Sequence, residues 1–252
     1  MSLGEQPSML PVRNAVVFDQ LVVYSNFQLP KHDRMLDDLR VLRGDVMSRL
    51  ALEGSEEPIH VYLFETEDRF RQFLAKQYPD LPARRAFFIE SDNRLAVYAQ
   101  WGDRVAEDLR HEVTHGYVHT VVRDIPLWID EGIAEYFEVP RPGEGVNRPH
   151  VRLLLTRYQR DGWRPNLARL ERMRSVEEMK QEDYAEAWAW THWMLDTEPR
   201  RRELLQHYLQ TVGKHGSAEP LSSTIEPGDP DAEAALMMHL HTLAAKVGGD
   251  QK

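Results

Sequence analysis

"LRHEVTHGYVHT" (residues 109–120) is the stretch on which the reading of this chain turns. Three histidines, His111, His115 and His119, recur every four residues, and Glu112 directly follows the first. On an α-helix a four-residue step turns by about 40° and rises by about 6 Å, so residues at this spacing stand one above another on one face. Val105, Leu109, Val113 and Tyr117 fall roughly opposite them. The spacing therefore predicts an amphipathic helix over 103–122 that buries one side and offers His111 and His115 on the other. Two imidazoles so placed can grip one metal ion, and Glu112 beside them can handle a proton without ligating it. His119 stands about 12 Å in rise beyond His111. Zinc takes nitrogen ligands at about 2.0–2.1 Å, so an unbroken helix cannot bring all three to one ion, and His119 is assigned a structural role.

A third ligand is expected sixteen residues beyond His115, in "IPLWIDEGIAEYFEVPRP" (125–142). Asp124 and Pro126 open a helix there, expected over 126–138, and Pro140 and Pro142 close it. Glu131, Glu135 and Glu138 share one face of this helix, and Ile129, Ile133 and Phe137 share the other. A carboxylate face opposing the histidine face across a short connection would complete a site with one open position, as catalytic zinc requires.

Taken together, "HEVTH" and "LWIDEGIAEYFE" resemble the signature of the gluzincin zinc metallopeptidases, in which HExxH is followed by a helix reading W-x-x-E-G-x-A-x-Y. Thermolysin-type proteases and the aminopeptidase/leukotriene hydrolase family share that plan, and the short spacing is most similar to the peptidase-MA-like bacterial families. The motif covers residues 109–138, and its connection is shorter than in the larger aminopeptidases. The resemblance implies a zincin-like fold and one zinc ion held by His111, His115 and Glu131. It implies Glu112 as general base, and Glu135 as the carboxylate that orients a ligand histidine. Gly132 would let its helix pack closely against the histidine helix. In "EDYAEAWAWTHWML" (182–195), Tyr184 resembles the catalytic tyrosine that opens an aminopeptidase helix and would donate to the oxyanion. Tyr184 also reads as a core aromatic beside Trp188, and His192 is the alternative donor.

The rest of the chain supplies a frame. Residues 16–24 read as a strand or hairpin, 33–52 as a helix, 59–66 as a strand and 67–78 as a helix. "RRAFFIES" and "RLAVYAQ", split by Asp92 and Asn93, read as a hairpin, with 94–100 either the sheet's edge strand, where an extended peptide could add as a strand, or an interior strand. Further helices are expected at 148–160, 182–196 and 199–213. A loop over 213–230 then leads to a last helix, capped by Asp229 with Pro230 in its first turn, carrying Leu236, Leu240, Leu243 and Val247 on one face. The class is α+β: a small mixed sheet with helices, then a mainly helical part, with a sheet-plus-helix half over 1–141 and a helical half over 142–252.

Composition narrows the partners. Of 252 residues, 42% are hydrophobic and 29% charged, which is globular, and the net charge of −10 argues against nucleic acid. With no cysteine, any metal must be held by His, Asp or Glu. No run is apolar enough to span a membrane, and "MSLGEQPSMLPVRN" holds no apolar signal core. The expected setting is the cytoplasm, or an exported one with the signal outside this sequence. The remaining histidines, His150, His239 and His241 among them, show no ligand spacing. The expected function is zinc-dependent cleavage of peptide bonds in a peptide or protein substrate. A zinc amidase on a small substrate, or a non-catalytic zinc-binding domain, are the alternatives.

Overall fold

The computed structural model describes residues 9–29, 34–91 and 94–249, without the side chains of residues 226, 227 and 247–249. Its architecture is α+β, a mixed sheet followed by a mainly helical C-terminal part. The chain folds as two compact units, one of residues 1–44 and 55–120 and one of residues 45–54 and 121–252. Among the described residues no helix is long and apolar enough to cross a membrane.

The first unit is built on five strands: β1 (Asn14–Phe18), β2 (Leu21–Ser25), β3 (Ile59–Phe64), β4 (Ala86–Ser91) and β5 (Arg94–Gln100), in the order β1-β2-β3-β5-β4. β1 and β2 form an antiparallel hairpin turned at Asp19, whose φ is 56°. β2, β3 and β5 run parallel, joined through α1 (Arg34–Leu50) and α2 (Glu67–Gln77), while β4 pairs antiparallel with β5. β3 is covered on both faces, as a central parallel strand must be, which explains its apolar sequence "IHVYLF", interrupted by the half-buried His60.

The parallel register sets Tyr24 opposite Tyr62 and Tyr62 opposite Tyr98. Their rings stack at 4.9 and 5.2 Å, each pair contributing about 0.5–1.5 kcal/mol beyond burial. Phe70, Phe73 and Leu74 of α2 close over this face. On the other face lies α3 (Val105–His119), the histidine helix. Gly116 brings it onto the Ile59 side chain, and Tyr117 Oη donates to the Leu39 carbonyl of α1 at 3.0 Å.

The sheet decides between the two placements of 94–100. β5 is interior, between β3 and β4, with Leu95 through Ala99 all buried; the edge beside it is β4. A strand's own sequence reports whether its faces are covered but not which neighbours it has.

The second unit is helical: α4 (Leu127–Phe137), α5 (Arg148–Asp161), α6 (Leu167–Leu170), α7 (Gln181–Asp196), α8 (Pro199–His215), α9 (Leu221–Gly228) and α10 (Ala232–Gly249), with a 3-10 turn at Val176–Glu178. Trp128, Trp188, Trp190 and Trp193 are fully buried and dominate its core. The stretch expected as a loop over 213–230 holds α9, because Leu221 and Ile225 are buried and Glu171 accepts from Ser222. Asp229 ends α9 and pairs with Arg201 rather than capping α10, which starts at Ala232. Leu236, Leu240 and Leu243 of α10 are buried as expected, and the Val247 side chain lies outside those described.

Candidate metal centre

Within the first unit, α3 presents its histidines toward β4. The His111 and His115 rings lie 5.0 Å apart at 73°, two imidazoles one turn apart on one face. His115 is buried, and His111 and Glu112 are half-buried. Phe88 of β4 stacks on His115 at 5.9 Å and packs against His119 at 5.0 Å. His119 is placed in an ion-pairing position, its Nδ1 2.6 Å from Glu90 Oε2. Glu112 Oε2 accepts the Phe88 backbone N–H at 2.7 Å. Asp108, one turn before Glu112, takes a two-pronged contact from Arg85 at 2.6 and 2.9 Å.

Within the second unit, α4 carries Glu131 and Glu135, 4% and 9% exposed. Carboxylates at that depth need compensating partners, because burial disfavours the charge. Glu135 Oε2 meets His150 Nε2 at 2.7 Å and Asn147 Nδ2 at 3.4 Å; Asn147 also donates to Glu138 at 3.0 Å and caps α5 by accepting from His150 N–H. Neither Asn147 nor His150 is conspicuous in the sequence; the one local signal is Asn147 standing before a helix that begins Arg148-Pro149.

Gly132 does allow a close approach, but to α7: a Cβ there would lie 2.5 Å from the Ala187 carbonyl oxygen and also strike Thr191 Oγ1. The expected partner, the histidine helix, is thereby corrected, since only a packed structure shows which helix a glycine faces.

Tyr184 is half-buried near the start of α7. Two turns on, His192 sits in a buried polar group of its own. Its Nδ1 is 3.0 Å from His239 Nε2 of α10 and 3.9 Å from Asp196, and its ring packs on Tyr136 and Trp188. Burial pushes His192 below the usual histidine range. Burial, reinforced by the neighbouring His192, brings His239 down to about 4.

Both histidines therefore take up a proton less readily when folded than when unfolded. The stability this gives is present above the ordinary histidine value of 6.5 and is lost as pH falls towards about 4. Thermal unfolding followed through that window should show a loss of about 1–2 kcal/mol, discounted for the partial exposure of His239, and His239→Gln should flatten the profile.

The family described as "Protein of unknown function (DUF1570)" matches residues 105–219. That segment runs from the first residue of α3 to just beyond α8 and includes His111, Glu112, His115, Glu131, Glu135 and Tyr184. No curated protein matches the chain.

Proposed function

We propose that the chain is a gluzincin-type zinc hydrolase that cleaves peptide bonds, with His111 and His115 of α3 and Glu131 of α4 as ligands of one zinc ion. The observation that carries the reading is α3 itself. Two paired imidazoles stand on one face while the carboxylate between them in sequence is drawn aside onto a backbone amide. The donor chemistry fits: His111, His115 and Glu131 each offer one ligand atom, two imidazoles and a carboxylate suit zinc, and the chain has no thiolate to compete.

Zinc bound there supplies Lewis acidity, lowering the pKa of a water and polarising a carbonyl. Glu112 takes a proton from the attacking water and delivers it to the leaving nitrogen. Glu135, whose Oε2 is held by His150, would turn its other oxygen to a ligand imidazole, and Tyr184 donates to the developing oxyanion, an interaction typically worth about 2.7–4 kcal/mol. A small amide would be handled by the same residues.

Elemental analysis of the wild type and Glu131→Ala, purified side by side with no added metal, tests the reading. About one zinc per chain is expected in the wild type and well under half that in the variant. A wild type that holds little zinc even after reloading would sink it.

A further inference from the structure

The sheet and the histidine helix meet along the outer edge of β4, and the hydrogen bonding there is more specific than packing requires. Gln100 N–H donates to the Arg85 carbonyl at 3.0 Å, which places Arg85 and Gln100 at a hydrogen-bonded position of the antiparallel ladder. Alternation then gives the same status to Phe87 with Tyr98 and Ile89 with Ala96. The backbone groups of Ala86, Phe88 and Glu90 are turned away from β5. Among the described residues no strand pairs with that edge.

The outward Phe88 N–H goes to Glu112 Oε2 at 2.7 Å, a charge-assisted bond of the stronger kind. It is the middle of three ties between strand and helix. Arg85 holds Asp108 on one side of it and Glu90 meets His119 on the other. Together they set the register of β4 against α3, so the amide arrives where Glu112 can reach it.

We propose that the backbone N–H of Phe88 is a positioning group for Glu112, holding one carboxylate oxygen so that the other is presented to the reacting water. The inference rests on the zinc reading and deepens it. A glutamate on a half-buried helix face has several rotamers, and anchoring one oxygen selects among them before substrate arrives. Because the donor belongs to the backbone, the function does not depend on which side chain occupies position 88. The Phe88 ring has a separate task, packing on His115 and His119.

Three variants of the full chain separate these roles. Phe88→Leu keeps the N–H and trims the ring. Phe88→Pro removes the N–H at a position where no ladder bond is lost. Glu112→Gln alters the positioned group itself. Each is loaded with cobalt(II) in place of zinc, whose visible spectrum reports the surroundings of the metal without any substrate.

All three should bind one cobalt per chain. Phe88→Leu, which keeps the N–H but loses the ring packed on His115, should stay nearer the wild-type spectrum than Phe88→Pro, and Phe88→Pro should reproduce the spectral change of Glu112→Gln. On a cleaved peptide, kcat should fall about tenfold or more in Phe88→Pro with KM unchanged. A wild-type spectrum and kcat in Phe88→Pro would overturn the proposal. A wild type that takes up neither cobalt nor zinc would instead remove the zinc reading beneath it.

Should Phe88→Pro not fold, phenylalanine amide resonances decide the matter. The Phe88 proton should lie downfield of the other strand amides, move back in Glu112→Ala, and stay downfield when zinc is added. A return to ordinary values on zinc loading would mean that Glu112 leaves the amide in the working state, which overturns the proposal.

Discussion

Gly132→Ala is expected to be among the most destabilising single-methyl additions in the protein. The new Cβ would lie 2.5 Å from the carbonyl oxygen of Ala187 and 2.9 Å from its carbon, besides striking Thr191 Oγ1. A side-chain end can rotate away, but a carbonyl inside α7 is held by its own helix, so α4 must shift instead. Overpacking of a tight interface typically costs about 1–3 kcal/mol, and the backbone obstacle places this case near the upper end. For a chain of this size about 3 kcal/mol lowers the melting temperature by roughly 6–12 °C.

Thr191→Ala in the same background should recover only part of the loss, because it removes the hydroxyl and leaves the carbonyl. Full recovery would show that the carbonyl contact relaxes freely. Glu131 immediately precedes Gly132, so on the zinc reading the metal content of Gly132→Ala should fall as well, measured on the folded protein below its melting temperature.

Glu112→Gln should separate catalysis from metal binding. A general base contributes about 100- to 10,000-fold to such reactions, and glutamine keeps the shape while losing the capacity to take a proton. The expected result is a fall of at least about 1,000-fold in cleavage of whatever peptide or casein substrate the zinc-loaded wild type accepts, with zinc content unchanged. If the zinc-loaded wild type cleaves nothing in a broad panel, the non-catalytic zinc-binding alternative gains. If Glu112→Gln loses its zinc, Glu112 acts as a ligand and the assignment of Glu131 needs revision. The glutamine can still accept the Phe88 N–H through its side-chain carbonyl, so the fold around β4 should be preserved.

The chain's sequence by itself determined the local elements. The helical spacing of His111 and His115, with Val113 and Tyr117 turned to the core, is a property of one helix and needs no partner to be read. The same holds for the mainly apolar sequence of β3 and for Leu236, Leu240 and Leu243 on α10. The resemblance of 109–138 to a gluzincin signature likewise rests on residues close in sequence.

What only the tertiary structure decided involves residues distant in sequence. The order of the strands put β4 at the edge beside an interior β5, because pairing partners are chosen by the whole sheet. Packing against α7 gave Gly132 its neighbour, and Arg201 drew Asp229 away from a capping role. His150, with no ligand spacing of its own, became the partner of Glu135 once α5 was laid beside α4. Glu112 found the Phe88 amide twenty-four residues upstream. Periodicity along a chain reports which side of an element is buried; hydrogen bonds between elements depend on register and close approach, which exist only after the elements have packed.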